Sequence, residues 1–357
     1  MDVFHSGDGS NGLAILVDHR TKMDRDTGGC LDTSHWRHFL GDTEWKRTLR
    51  IALRDYGTEP FRAKELADIK QKVDNLLSVC PVTTMLIMQT AAVAGVRNVN
   101  SAWNIYGGTG SPYKWAGTVQ KGANNLFICP VLNPSRYEDV YEYLIRRWFQ
   151  QAHAIARGRI TPMRWPQVLH TEANEEMVAA LTRIRSTTSR RVSVDIETNI
   201  KGTIITAIGL SNGEDTISTP WDAYPISGRG VYEPAIDEYT TGTRIRTLVL
   251  DILAGPSPKI LHNGAFDVYE LSKRSITVSS FKYDTLLMHR VVYPQFRHGL
   301  QQACATEFAV EPWKCLWKSP AEDTWLSDPD SMRVYNCKDA YATWVLCNRL
   351  EPKVGLK

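Results

Sequence analysis

The chain has 357 residues, of which 43% are hydrophobic and 23% charged, a composition typical of a folded globular protein long enough for two domains. Its net charge of +3 is too small to demand a nucleic-acid partner, and no apolar run approaches the ~18 residues that span a membrane. The seven cysteines form no C-x-x-C pair that would favour a zinc or redox site, and no secretion signal begins the sequence, so we expect a cytoplasmic protein.

The first half of the sequence predicts a small α/β domain. Short apolar runs at Gly12–Val17 and Leu126–Cys129 predict strands, and Val73–Val96 predicts two helical stretches around Pro81. A capping box at Ser135–Glu138 begins a further helix. Apolar residues at three- and four-residue spacing form one face of that helix, namely Val140, Leu144, Trp148, Ala152 and Ile155.

A segment rich in Gly, Pro and Arg follows this helix and suits a connection between domains. We therefore predict a first domain at residues 1–157, a linker at 158–167 and a second domain at 168–357. Thr171 is the predicted cap of the first helix in the second domain.

Beyond that helix, the apolar period changes from helical to alternating at Val192–Glu197. Turn signals at Lys201-Gly202 and Asn212-Gly213 separate three short strands, which predicts a three-stranded antiparallel meander. The later segments alternate between helix and strand, and the predicted elements are a helix at Ile245–Leu253, a strand at Lys259–Leu261, and helices at Ala265–Lys273, Tyr283–Val292 and Leu300–Phe308.

Acidic residues recur where these elements begin and end. Asp195 and Glu197 are two residues apart on a predicted strand, so both side chains project from one face and can hold a metal ion, although such a pair is also common on exposed strands. Asp267 begins a helix directly after a short strand, where an acid often acts only as a cap. Tyr335 and Asp339 share one face of the last predicted helix, because they are four residues apart.

In this order, the three elements resemble the D-x-E, N-x-x-x-D and Y-x-x-x-D motifs of the four-carboxylate (DEDD) 3′–5′ exonuclease superfamily. The resemblance covers about Val168 to Pro352, and the absence of a histidine five residues before Asp339 favours the tyrosine branch. The segments Tyr283–Met288 and His298–Leu300 resemble the proofreading domains of phage family A DNA polymerases. The resemblance implies a ribonuclease H-like fold, with a mixed sheet and alternating helices.

The same resemblance implies hydrolysis of a phosphodiester by two Mg²⁺ or Mn²⁺ ions. Their ligands would be Asp195, Glu197, Asp267 and Asp339, with Asp195 bridging both ions. Tyr335 would orient the attacking water, since a phenol with a pKa of ~10 is a poor base at neutral pH. The residues expected to contact the terminal nucleotide of DNA are Thr198, Asn263 and Phe266.

The end of the first domain weakly resembles a uracil-DNA glycosylase. A strand, the tripeptide Asn133-Pro134-Ser135 and a helix follow one another there, as in the last motif of those enzymes. Glycosylases of this kind carry His where Asn133 stands, so we expect a degenerate domain that excises no uracil. A plain helix entry explains the tripeptide equally well.

We expect the substrate to be a single-stranded or frayed 3′ end of DNA, and the reaction to be proofreading. No polymerase segment follows the third motif, so we expect a separately encoded DNA polymerase subunit as partner, and no membrane association. One alternative is an exoribonuclease resembling ribonuclease D. A second is a polymerase accessory subunit that binds nucleic acid without cleaving it.

Overall fold

The chain folds as two compact units. The computed structural model describes residues 3–17, 35–53, 61–88, 105–106, 115–122, 126–131, 139–199, 204–222, 224–225, 232–233, 241–314 and 328–355. The first unit is Met1–Met163 with Phe308–Cys315, and the second is Arg164–Glu307 with Leu316–Lys357. The late segment belongs to the first unit through hydrogen bonds from Val119 N to Val310 O (2.8 Å) and from Met163 N to Ala309 O (2.7 Å). The predicted domains placed all of residues 168–357 in the second domain and so did not assign this late segment to the first unit. The linker at residues 158–167 stays a prediction.

The first unit has a six-stranded sheet. Its elements are β1 (Phe4–Ser6), β2 (Leu13–Val17), a 3-10 helix (His35–Phe39), α1 (Asp42–Arg47), β3 (Leu49–Ala52), α2 (Ala63–Val79), β4 (Thr84–Met88), β5 (Gln120–Lys121), β6 (Phe127–Val131) and α3 (Asp139–Ala156). The strand order is β1-β3-β2-β4-β6-β5, in which the four central strands are parallel and the two edge strands antiparallel.

Two predicted strands and the helix at Asp139–Ala156 agree with the structure of this unit. Leu144, Trp148, Ala152 and Ile155 are buried on one face of α3, as predicted. The second helical stretch predicted after Pro81 is wrong, because Thr84–Met88 is strand β4. Parallel strands are buried on both faces, and a continuous apolar run cannot be told from a helix by its period alone. The capping box at Ser135–Glu138 and the tripeptide at Asn133 lie outside the described residues.

The second unit has a five-stranded mixed sheet. Its elements are α4 (Glu175–Ser186), β7 (Val192–Thr198), β8 (Ile205–Ser211), β9 (Thr216–Pro220), β10 (Tyr224–Pro225), β11 (Tyr232–Glu233), α5 (Thr241–Ala254), β12 (Lys259–Leu261), α6 (Gly264–Ser272), β13 (Phe281–Asp284), α7 (Thr285–Val292), α8 (Leu300–Glu307) and α9 (Pro329–Val354). The strand order is β13-β12-β7-β8-β9, and only β8 runs antiparallel to its neighbours.

The three-stranded meander β7–β8–β9 confirms the sequence prediction. The turn between β8 and β9 is closed by the Asn212 side chain, which accepts hydrogen bonds from Glu214 N (3.0 Å) and Asp215 N (2.8 Å). Gly213 occupies a positive φ of 88° within that turn, a conformation that glycine adopts without steric cost. The turn at Lys201-Gly202 lies outside the described residues.

Two predicted helix starts in this unit are wrong. Helix α4 is capped by Asn174, whose side chain accepts from Met177 N, because His170 bridges to Ile217 and keeps the chain near Thr171 extended. Tyr283 and Asp284 belong to β13, since Tyr283 pairs with Ile260 of β12. Helix α7 begins only after Asp284, which caps it.

The two faces of the meander have different compositions. One face presents Val194, Leu210 and Ile217 to a core that includes α4 and α5. The other face presents small and polar residues, namely Ser193, Asp195, Glu197, Ala207, Gly209, Ser211, Thr216 and Ser218. Helix α9 packs on this second face and makes contacts with β7, β8 and β9. The whole is a mixed α/β protein, and no helix among its described residues is both long and apolar enough to cross a bilayer.

Candidate metal centre

Three of the predicted acids meet where α9 crosses β7. Asp195 and Glu197 project from the small and polar face of β7, and Asp339 reaches them from α9. One carboxylate oxygen of each residue lies within 4.8 Å of the others. Asp195 and Glu197 are half-buried, whereas Asp339 is only 2% exposed. Burial of an acid among other acids is costly unless a cation or hydrogen bonds compensate its charge.

A buried amide orients the first of these acids. Asn336 Nδ2 donates a hydrogen bond to Asp195 Oδ2 at 2.7 Å and lies 3.3 Å from the Asp195 carbonyl oxygen. Its own Oδ1 accepts a hydrogen bond from Ser218 Oγ of β9 at 2.6 Å. Asn336 therefore ties α9 to two strands and fixes the rotamer of Asp195.

Gly209 provides the space that this amide occupies. It pairs with Asp195 across the β7–β8 ladder, and a Cβ atom on it would lie 2.6 Å from Asn336 Oδ1 and 3.0 Å from the Asn336 carbonyl oxygen. None of the predicted site residues was Asn336, Ser218 or Gly209. A glycine within an apolar strand was the available signal, because it often marks the close approach of another backbone.

Asp267 lies beside the three acids but contacts the strand itself. Its Oδ1 accepts a hydrogen bond from the backbone N–H of Ile196, the residue between Asp195 and Glu197, at 3.1 Å. Burial, together with the negative charges of Asp284 and Asp339, raises the pKa of Asp267 to about 7, although the hydrogen bond from Ile196 opposes the rise. The group of three acids whose oxygens lie within 4.8 Å does not include Asp267.

Asp284 holds the turn that precedes α6. Its two carboxylate oxygens accept hydrogen bonds from Asn263 N (3.1 Å) and Gly264 N (2.9 Å), as well as from two N–H groups at the start of α7. Asn263 adopts a left-handed conformation with a φ of 63°, which turns the chain from β12 into α6 and places Asp267. The Asn263 side chain does not cap the helix.

The remaining predicted site residues lie on the same elements. Tyr335 is half-buried one turn before Asp339 on α9, and Thr198 is half-buried at the end of β7. Phe266 is 44% exposed in the first turn of α6. Tyr335 therefore shares a helix with Asp339 at a distance of one turn, and the Phe266 ring is largely in solvent.

No protein-family model matches the chain, and no curated protein does. Among solved structures, it is similar to the POL domain of Pol1 from M. smegmatis in complex with DNA primer-template and dNTP, with 19% identity over 53% of this chain and 28% of that one and a TM-score of 0.36. It is also similar to the catalytic core of RRP6 from Trypanosoma brucei, with 16% identity over 52% of this chain and 47% of that one and a TM-score of 0.36. A third similar structure is the EXD2 exonuclease domain soaked in Mg, with 15% identity over 52% of this chain and 89% of that one and a TM-score of 0.25. This chain spans less than half of the length of the first two.

Proposed function

We propose that the second unit is a metal-dependent 3′–5′ exonuclease with a ribonuclease H-like fold. The observation that carries the proposal is the meeting of Asp195, Glu197 and Asp339, with oxygens within 4.8 Å of one another, on a strand and a helix far apart in the sequence. A mixed sheet with the acidic strand β7 at its centre and only β8 antiparallel supports the fold assignment.

The donor set suits Mg²⁺ or Mn²⁺, because these ions prefer hard oxygen ligands and the group offers three carboxylates with no thiol or imidazole among them. Asp195, Glu197 and Asp339 would hold the metal directly. Asp267 would support a second ion, whose positive charge would favour the ionised form of this carboxyl. Two such ions would acidify a water molecule and neutralise the charge that develops on the phosphate.

The chain's own residues would position this chemistry. Asn336 donates a hydrogen bond to one oxygen of Asp195 and so orients the carboxylate that would hold an ion, while Asp267 fixes the β7 backbone between the two acids. The Tyr335 hydroxyl would orient the attacking water, because a neutral phenol donates a hydrogen bond without removing a proton. Tyr335→Phe should therefore reduce the cleavage rate much less than Asp195→Ala does, and an equal loss would show that the hydroxyl does more than orient.

The proposed substrate is the 3′ end of DNA, single-stranded or frayed, removed during proofreading. The resemblance of Tyr283–Met288 and His298–Leu300 to the proofreading domains of phage family A DNA polymerases supports this choice. The proposed contacts of the terminal nucleotide are Thr198, Asn263 and Phe266. A separately encoded DNA polymerase is the proposed partner. Co-purification from the native source followed by mass spectrometry tests this, and recovery of the chain without a polymerase would count against it.

The first unit is proposed to be a degenerate glycosylase-like domain. Its four parallel strands, in the order β3-β2-β4-β6, are compatible with that fold class and with other doubly wound sheets. Because Asn133 stands where such enzymes carry His, the unit should not excise uracil. Abasic sites formed in uracil-containing DNA by the wild type, and not by Asn133→Ala, would contradict this.

Digestion of matched substrates tests the main proposal. A DNA strand labelled at its 5′ end and an RNA strand of the same sequence are incubated with the full chain in Mg²⁺ or in a chelator. We expect the DNA to shorten one nucleotide at a time in Mg²⁺ alone. Faster shortening of the RNA would favour the ribonuclease D-like alternative, and no shortening of either strand would favour a non-catalytic accessory subunit.

A further inference from the structure

An apolar groove lies at the β13 edge of the sheet in the second unit, and Asp195, Glu197 and Asp339 do not line it. It has a volume of about 430 Å³ and is formed by β13, α7 and the end of α9. The apolar side chains that line it are Phe281, Tyr283, Leu287, Met288, Val291 and Val354. A groove of this size falls within the range that accepts bulky side chains of a ligand or a partner.

The helix beside the groove exposes apolar side chains to solvent. Leu287 is 56% exposed and Val291 is 72% exposed, and their four-residue spacing makes them neighbours on one face of α7. Phe281 of β13 is 39% exposed at the same groove. Single exposed apolar residues are ordinary, but a contiguous group around a concavity is typical of an interaction site.

Two exposed basic side chains lie at or beside this groove. Lys282 lines the groove, and Arg290 is exposed on α7 next to Val291. The acid of the lining, Asp284, already accepts hydrogen bonds from four backbone N–H groups. Glu351, on the neighbouring turn of α9, is paired with Arg191. A partner with acidic side chains would therefore complement the charge of Lys282 and Arg290.

The edge strand is poorly suited to accept another strand. In the described sheet β13 is the last strand, but its pairing with β12 shifts register between Lys259 and Ile260, so that Lys282 is the extra residue of a bulge. Bulges and edge lysines are devices that discourage strand addition. The ridge of Leu287 and Val291 on α7, in contrast, has the spacing that packs against a second helix.

We propose that this groove docks an acidic amphipathic helix of a partner protein. A bulky apolar side chain of that helix fills the groove, its neighbours at three- and four-residue spacing pack against Leu287 and Val291, and its acidic side chains lie near Lys282 and Arg290. The proposal is independent of the nuclease activity, because neither the groove nor its charges include the carboxylates Asp195, Glu197 and Asp339.

The probe is a displayed library of amphipathic helices, about 18 residues long so that they are helical when free. The library varies both the apolar and the charged positions, and the full chain is used without metal or DNA. Selected helices are synthesised, and their affinity is measured by fluorescence anisotropy. We expect the selected set to be acidic with bulky apolar side chains. Leu287→Glu and Lys282→Glu should each weaken binding at least tenfold.

The control is Val168→Glu, which introduces the same charge at a side chain that is 58% exposed. Val168 lies two residues before His170, which bridges to β9 at the opposite edge of the sheet. Binding that survives Leu287→Glu, or that is lost equally in Val168→Glu, would overturn the proposal. So would selection of basic helices, protection of the groove by single-stranded DNA, or a homodimer that Leu287→Glu dissociates.

Discussion

The two sheets of this protein bury their strands in different ways. Every residue of β2 is buried, as are Met85, Leu86 and Ile87 of β4, so these two segments of the first sheet are apolar on both faces. The β7–β9 meander of the second sheet is apolar only towards α4 and α5. Its other face carries hydroxyls and acids under α9.

The polar face is compatible with burial because its groups are paired. Ser193 Oγ donates to the Ala340 carbonyl oxygen at 2.6 Å, and Ser218 Oγ donates to Asn336 Oδ1 at 2.6 Å. The hydroxyls of Ser211 and Thr216 are 2.8 Å apart. Buried polar groups cost free energy unless they are paired in this manner. The two faces of the second sheet therefore have separate roles, because the apolar face forms the core and the polar face carries the candidate metal ligands.

The largest effect should come from the acids of the polar face. Asp195→Asn should lower the cleavage rate by about 10³-fold or more. Removal of a single group that stabilises the charge of the transition state lowers the catalytic rate of other enzymes by ~10²–10³-fold. It should leave the metal-free fold as stable as before or more stable, because repulsion among the acids falls. Asp251→Asn, which removes an exposed acid of α5, is the control and should cleave normally. A gel-based rate assay measures both, and retained cleavage in Asp195→Asn would refute the site.

A core substitution in the first sheet should affect stability alone. Leu16 is fully buried in a cluster that includes Leu49, Ile51 and Ile87. Leu16→Ala should lower the free energy of unfolding by about 2–5 kcal/mol, through lost transfer energy and a residual cavity. Leu16→Met, which conserves volume, should cost less than about 1.5 kcal/mol. Urea denaturation measures both. A cleavage rate that falls by more than the folded fraction of Leu16→Ala would show that this core also contributes to catalysis.

Asn336 should link the polar face to metal affinity. Asn336→Ala frees the Asp195 carboxylate from its orienting hydrogen bond, and loss of such outer contacts typically weakens metal binding by about 10–100-fold. The Mn²⁺ concentration that raises the melting temperature reports this affinity without any cleavage. Asn348→Ala removes an exposed amide from the same helix and serves as the control. Equal Mn²⁺ dependence in both variants would show that Asn336 only fills space.

The polar interior should also make the second unit sensitive to acid. His289 is fully buried, and burial together with the nearby His298, His262 and Lys353 lowers its pKa to about 3. The unfolded chain binds a proton near pH 6.5, so stability from this group is complete above that pH and is lost as the pH falls towards 3.

At pH 5 the loss from this histidine should be about 2 kcal/mol relative to pH 7. His289→Asn cannot titrate, so its stability should fall less over the same range, and the carboxylates common to both proteins cancel in the difference. Urea denaturation at both pH values measures it. Parallel pH profiles for the two proteins would contradict the expectation.

The sequence predicted those parts of the fold that depend on local patterns. Alternation at Val192–Ile196 and the turn at Asn212-Gly213 predicted the meander, which the structure confirms. Local patterns gave the wrong secondary structure where pairing with strands distant in the sequence determines it. Thr84–Met88 is a strand because β2 and β6 flank it, and Tyr283 is in a strand because β12 pairs with it.

The candidate site was predictable to a similar extent. Spacing placed Asp195 and Glu197 on one strand face and Asp339 on the last helix, and the structure brings these three together. The role of Asn336 could not be predicted, because it depends on how closely α9 approaches β8 over Gly209. The hydrogen bond from Ile196 N to Asp267 depends likewise on the packing of α6 against β7.

The proposed function assigns metal-dependent cleavage from a 3′ end to the acids on the polar face of β7. The most direct test is a time course on a 5′-labelled single strand with Mg²⁺, in which the wild type is compared with Asp339→Asn. We predict a ladder of products, each shorter by one nucleotide from the 3′ end, with the wild type, and an intact strand with the variant. The same ladder from both proteins would contradict the claim.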